Sequence, residues 1–466
     1  MGGKKPRFTK RTVFMVIVFV VGALVIGAAV LQKGGQRGTV QTGNDFLEAG
    51  DEPEELPVAD MEEGEVTEGK ETKVTKVQGV SYPEEKIEED MDIIYKKNLN
   101  PFFKNTIRDT LTSREGKNRA YSPVNLYFCM AMLTEMTDGQ TRGQILDFLG
   151  QNSQEDIRKQ SQLIWQKLYQ DGEYSKCILG DSVWLNQDIS FKKDVLKALS
   201  EYYYTEVYQG QMGKGMDQRI QRWVNDITGN RLKEAAGKME TKDDTVLVLL
   251  SAAHFYNQWL VPFSKESTKK DVFTNASGEK VTCDFMNGER CGGVNQTERF
   301  VSTSVEMENG SAMHLFLPEE GFTVADLLRE DMDGILQIIG TPTGYGAENG
   351  QVTLSLPKFA ISSSLDLIPV LKSNGVTDLF DSTAADFTKL LGKKQSQVYV
   401  DKVWQATKAS VDEQGCSVDS FTEVEMKIGG IWPEKKFTVK CDHPFLFIIS
   451  NNRLPVFAGV VNQMEE

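Results

Sequence analysis

The stretch Val411–Lys427, VDEQGCSVDSFTEVEMK, decides how the rest of the chain is read. Counting from Cys416, every second residue (Cys416, Val418, Ser420, Thr422, Val424, Met426) is uncharged. The interleaved set (Ser417, Asp419, Phe421, Glu423, Glu425, Lys427) is mostly charged or large. Side chains alternate faces along a strand, so one face of this stretch can enter a core while the other stays in water. A slip of one residue would bury Asp419, Glu423 and Glu425, each at a large cost if unpaired. Gly415 before the stretch and Gly429-Gly430 after it are loop-like punctuation. The pattern fits an edge strand, or a loop able to become a strand.

At 466 residues the chain holds one large domain or two to three ordinary ones, and its 40% hydrophobic content is that of a globular protein. The net charge of −15 is unevenly placed: residues 1–44 carry seven Lys/Arg and no acid, and residues 45–92 carry 18 Asp/Glu against 4 Lys. The remainder is mildly acidic. No basic stripe exists beyond the N-terminus, which argues against a nucleic-acid partner.

Thr12–Gln32 is uncharged over 21 residues and dense in Val, Ile, Phe and Leu, long enough to span a bilayer as a helix. Lys4, Lys5, Arg7, Lys10 and Arg11 precede it, so the expected topology is a cytoplasmic basic segment at 1–11, a membrane anchor at 12–32 and an exported body. The protein is then a single-pass cell-membrane protein with its body extracellular. A cleaved signal peptide, with Gly27, Ala28 and Ala29 near the cut, is the alternative and would make the protein secreted. Residues 33–91, rich in Gly, Pro and clustered Glu, read as an acidic, disordered linker.

From residue 92 the pattern is globular. Helix-like segments recur at 92–112, 122–136, 141–149, 153–170, 194–203, 216–228 and 365–373. Strand-like runs lie at 176–185, 245–255, 298–307, 311–317, 351–359, 398–409, 436–439, 445–450 and 455–461. Helices come mostly early and strands late, which predicts an α+β fold.

Several short motifs then carry a resemblance. Ser122-Pro123, Gly139-Gln140-Thr141, Trp223-Val224-Asn225 and the Phe255…Trp259…Pro262-Phe263 run are similar to landmarks of the serpins. So are Leu356-Pro357-Lys358-Phe359, Asp378-Leu379-Phe380, the block Asp442–Phe447 (DHPFLF) and the block Phe457–Asn462 (FAGVVN). The resemblance covers residues 92–466. It implies three β-sheets, roughly nine helices and an exposed reactive-centre loop, in a monomer that needs no cofactor and no metal and is not an enzyme.

The resemblance also identifies Glu413-Gln414-Gly415 as the hinge of that loop, continuing through Cys416, Val418, Ser420 and Thr422. In serpins a protease cuts the loop, which then inserts into the main sheet and traps the protease as an acyl-enzyme. The uncharged alternate face from Cys416 to Met426 suits such an insertion. Two features depart from the family pattern: the hinge is poor in Ala, and the shutter region carries Ser251 and Gln405, with Ser122 nearby. A Ser251–Gln405 hydrogen bond is the expected substitute there. Family spacing from Gly415 and from His443-Pro444 puts the reactive bond at Gly429-Gly430, with Met426, Lys427 and Ile428 as neighbouring specificity residues. The implied partner is a serine protease of elastase- or subtilisin-like preference, with cysteine proteases as a second class. A non-inhibitory serpin, acting as a binding or chaperone module, is the competing reading.

No G-x-S-x-G elbow, H-E-x-x-H pair, phosphate-binding glycine loop or C-x-x-C motif occurs. His254 and His314 lie in apolar runs and His443 precedes Pro444, so all three read as structural. Cys283 and Cys291 are a candidate pair, Cys416 a small residue destined for the sheet, and Asn275, Asn295 and Asn309 are N-x-S/T sites.

Overall fold

The computed structural model describes residues 14–26, 74–80, 82–83, 99–112, 116–341, 345–392, 398–414 and 434–465. Strands are numbered in chain order. The first sheet runs, edge to edge, β13 (Phe359–Asp366), β14 (Val398–Val411), β1 (Phe14–Ile26), β7 (Thr245–Asn257), β5 (Ser175–Asn186), β6 (Thr205–Gly210) and β2 (Thr75–Gln78), with β4 (Gln170–Asp171) beside β5. The second runs β15 (Lys436–Lys440), β12 (Glu348–Pro357), β9 (Lys280–Gln296), β10 (Phe300–Glu306), β11 (Ser311–Pro318), β16 (Phe445–Asn451), β17 (Leu454–Val461) and β3 (Arg119–Tyr121), with β8 (Lys269–Thr274) on β9. The long β9 joins two parts of this second sheet. It pairs with β8 and β12 over most of its length and with β10 only over Val294–Gln296, so two of the three expected sheets are continuous in hydrogen bonding.

Helices α1 (Asn100–Thr112), α2 (Pro123–Met136), α3 (Gly139–Phe148), α4 (Gln154–Leu168), α5 (Lys193–Tyr203) and α6 (Lys214–Ile227) match the expected early helices within a few residues, α1 starting eight residues later than read. α2 starts with Pro123 in its first turn, where a missing N–H costs nothing. Every residue of α2 is buried, because it packs against β1, β7 and β17 between the two sheets. The α+β class holds. The segment expected as a helix from residue 365 is strand through Asp366, and the helix begins only at Ile368.

Two N-terminal segments depart from their expectations. Phe14–Ile26, read as part of a membrane-spanning helix, is β1, a strand in the centre of the first sheet. It runs parallel to both neighbours, from Phe14 opposite Val398 to Ile26 opposite Val411 on one side, and from Met15 opposite Thr245 on the other. Val16, Val18 and Val20 enter the main core, while Ile17 and Phe19 enter a second cluster with Trp184, Met216, Ile220, Trp223 and Trp404. A strand buried on both faces reads as a continuous apolar run, which is how a membrane helix reads too. Among the described residues no helix is long and apolar enough to cross a membrane.

The other departure is β2, inside the segment read as a disordered linker. It pairs with β6, and Lys76 forms an ion pair with Glu206. Four residues on, Tyr82 stacks on Trp165 at 5.2 Å between ring centroids. The clustered Glu residues that set the linker reading lie mostly outside this short piece, whose Lys and Tyr find partners on the body.

Candidate functional site

The fold converges on the C-terminal end of β14, where the chain leaves the first sheet. Asp412 and Glu413 follow β14 directly and are clamped. The Trp259 indole N–H donates to the Asp412 carbonyl at 2.8 Å, and the Phe263 amide donates to the Glu413 carbonyl at 2.8 Å. The Glu413 side chain, 7% exposed, accepts from the Thr268 hydroxyl at 2.8 Å and pairs with Lys358 at 2.9 Å. Burial pushes the Glu413 carboxyl up, but the Lys358 ammonium and the Thr268 hydroxyl outweigh it and hold the group below its ordinary range. Glu413 is thus a charged anchor for the segment that follows.

Beside this clamp lies the position between β7 and β14. Both strands are parallel to β1 and so to each other, and β1 fills the gap between them. Val20 is the register partner of Gln405 on one side and of Ser251 on the other. The expected Ser251–Gln405 hydrogen bond is therefore not formed, because a strand stands between the two residues. Instead the Gln405 side-chain N–H donates to the Ser122 carbonyl at 3.0 Å, and its Oε1 accepts from the Ser122 amide at 2.9 Å. The Ser122 hydroxyl lies 2.9 Å from the Val456 carbonyl of β17 and 2.7 Å from Asn125 Oδ1. Ser122 and Gln405 thus tie the start of α2 to the wall of the gap.

On its other side Ser251 opposes Asp181 of β5. Asp181 is 3% exposed and its Oδ1 has no hydrogen-bond partner, and burial pushes its carboxyl up to about 7 against the weaker pull of the Ser251 hydroxyl.

Comparison with known proteins places this fold in a family. The description "Serpin (serine protease inhibitor)" matches residues 97–464. The chain belongs to the serpin family. It is 26% identical over 375 residues to an uncharacterized serpin-like protein of Methanosarcina acetivorans, covering 76% of this chain and 84% of that one. To an alpha-1-antitrypsin-like protein of Tamias sibiricus it is 27% identical over 361 residues, covering 75% and 84% of the two chains. The native state of the thermophilic serpin tengpin superposes with a TM-score of 0.73 at 25% identity, covering 84% of this chain and all of that one. Tengpin in its latent state superposes with a TM-score of 0.68.

Of the predicted serpin site, Glu413, Gln414, Ser122, Ser251 and Gln405 lie on described elements; all but Gln414 are buried, and only Ser122 and Gln405 are brought into mutual contact. Gly415, Cys416, Val418, Ser420, Thr422, Met426, Lys427, Ile428, Gly429 and Gly430 lie outside the described residues. The sequence marks Trp259, Phe263 and Lys358 only as family landmarks; the structure makes them the clamp. Thr268 carried no sequence signal, since a lone Thr ahead of a strand has many ordinary uses.

The histidines are packed as structural groups. His314 is buried between the Ser304 hydroxyl at Nδ1 (2.7 Å) and the Ser450 hydroxyl at Nε2 (2.8 Å), and burial lowers its pKa to about 4. His254 is lowered to about 4 as well, by burial first and then by Arg231 and Lys176. His443 Nε2 sits 2.9 Å from the Pro318 carbonyl. Cys283 and Cys291 are both free thiols on the single strand β9; eight residues of strand separate them by roughly 26 Å, too far to pair. Of the N-x-S/T sites, Asn275 and Asn295 are buried and Asn309 is exposed. Among the described residues no group of three or more His, Cys, Asp and Glu is arranged to hold a metal ion.

Proposed function

We propose that this serpin is a suicide inhibitor of serine proteases, cut within 427–431 at Gly429-Gly430, whose loop then inserts between β7 and β14. Elastase- or subtilisin-like enzymes are the favoured targets, and cysteine proteases a second class. When residues 14–26 are out of the sheet, residues 12–32 hold the body outside a membrane. The observation carrying this reading is that β14 delivers the chain, through the Glu413 clamp, to the mouth of a gap able to seat a 13-residue strand. The uncharged alternate face of Cys416–Met426 gives the loop a side fit to enter it.

The test uses the full chain in phosphatidylcholine vesicles, incubated with a panel of proteases. A complex resistant to SDS should form, and mass spectrometry of the released C-terminal peptide should place the cut within 427–431. Thr422→Arg puts a charge on the entering face and should be cut at the same bond while releasing active protease; Glu423→Arg should still trap. A cut before Thr422, or equal trapping by the two variants, overturns the reading. A non-inhibitory binding or chaperone module is the second reading. The observation favouring it is that β1 already fills the gap.

A further inference from the structure

The gap between β7 and β14 is a binding site for an apolar strand, and its occupant is the chain's own N-terminal segment. We propose that residues 14–26 plug this site when the protein is off the membrane, so that the reactive loop can insert only after the plug leaves. The proposal rests on the loop-insertion reading for its consequence, though not for the occupancy itself.

Three observations carry it. The first is exclusion. β1 pairs with β14 along its whole length, ending with Ile26 opposite Val411, two residues before the clamped Glu413. A loop that leaves β14 and turns straight back into the neighbouring position must run antiparallel to it, whereas β1 runs parallel. One position in the sheet cannot hold both.

The second is fit. Met15–Val20 are all buried, with Val16, Val18 and Val20 on one face and Ile17 and Phe19 on the other. On the outer face Phe19 meets the Trp404 ring edge-on at 5.9 Å, under Met216, Ile220 and Trp223 of α6. The gap is thus apolar on both sides along Met15–Val20. The loop offers an uncharged set on one face only, with Asp419, Glu423 and Glu425 on the other. Where α6 covers the sheet, those carboxylates are a poorer match than Ile17 and Phe19.

The third is the sheet's own polar pair. Ser251 and Gln405 share Val20 as register partner, one on each side of β1, so β7 paired directly with β14 in this register would set the two residues opposite each other. The Ser251–Gln405 pairing read from the sequence then belongs to the unplugged state.

The experiment compares the full chain in detergent-free buffer with the full chain in phosphatidylcholine vesicles, and adds Val18→Arg in buffer. In buffer, wild type should be cut within 427–431 yet trap at least tenfold less protease than in vesicles, and Val18→Arg should restore trapping. Backbone amide exchange of residues 15–20 in wild type is read in parallel, because it does not depend on trapping or on how the variant folds. Protection equal to that of β7, before and after cleavage, is expected in buffer. Equal trapping in buffer and vesicles overturns the plug and leaves the inhibitory reading standing. No trapping in any arm, with residues 15–20 protected, overturns the inhibitory reading and leaves the occupancy standing. Rapid exchange of residues 15–20 in buffer overturns the plug outright.

Discussion

Asp181 and the histidines His254 and His314 pull stability in opposite directions over one pH window. The Asp181 carboxyl, ordinarily near 3.8, is raised to about 7 in the fold, so it keeps its proton there while the unfolded chain loses it. Its contribution is therefore most favourable below about pH 4 and is lost as pH rises to 7. His254 and His314 are lowered from 6.5 to about 4, so their contribution is full above pH 6.5 and is lost as pH falls towards 4. Asp181→Asn should raise stability at pH 8 by a few kcal/mol at most, each pKa unit being worth ~1.4 kcal/mol. It should also leave the histidines unopposed, so that the variant's melting temperature falls more steeply than wild type's from pH 7 to 4. Melting curves at half-unit pH steps test this; parallel curves would remove Asp181 as a buried acid.

Glu413 behaves in the opposite sense to Asp181. Its folded carboxyl is held below 4.5, so its stabilisation is present above that pH and is lost as pH falls through the lower folded value. Glu413→Gln should cost about 2 kcal/mol, between the values for exposed and buried pairs because Lys358 is partly in water. Urea melts of wild type and variant at pH 7 and pH 3 should show a smaller difference at the second than at the first. The family landmarks made Lys358 and Trp259 visible in the sequence. The contacts that give them a role cross 55 and 153 positions of chain, which no local pattern records.

Among the elements, helices such as α4 and α6 and the strands β10, β12 and β15 were legible because each shows one face to water, and periodicity marks that face, whereas β3, β8 and β9 of the second sheet were not read as strands. β1 was not legible for the opposite reason. Phe14–Ile26 is an apolar run whose described side chains, Met15–Val20, are all buried, and such a run suits a bilayer or a central strand alike, so hydropathy cannot separate the two. Its many β-branched residues (Val16, Ile17, Val18, Val20, Val21, Val25, Ile26) are the one hint towards strand. β2 escaped for its brevity, four residues within an acid-rich segment, and its stability comes from partners far along the chain. Glu206 joins Lys76 to the Trp223 indole, which donates to it at 2.7 Å, and Tyr82 extends a ring stack of Trp165, Tyr169 and Tyr204. Tyr82→Ala combined with Lys76→Glu should detach this segment. Limited proteolysis ahead of Asn100 should accelerate at least tenfold, while stability of the body falls by only about 1–2 kcal/mol. An unchanged cutting rate would mean that the stack and the ion pair do not hold it.

For the whole molecule, one apolar segment has two places to go, and the choice sets how stable the body is. With β1 in the sheet, its backbone hydrogen bonds run to both β7 and β14, each worth about 1 kcal/mol net. The side chains of Met15–Val20 add roughly 1.5–3 kcal/mol each where fully buried. Moving the segment into a bilayer keeps its apolar surface out of water but removes these contacts from the body. The body must then close β7 onto β14 or take up the cut loop. The soluble full chain should therefore melt at the higher temperature, and cleavage within 427–431 should leave that temperature nearly unchanged because the position is already taken. The same chain in phosphatidylcholine vesicles should melt lower before cleavage, by ten degrees or more on the usual scale for a domain this large. It should rise to or above the soluble value after cleavage. Differential scanning calorimetry of the four samples, soluble and vesicle-bound, intact and cut, decides the matter. A rise on cleavage of the same size in both settings would mean that β1 and the loop do not compete.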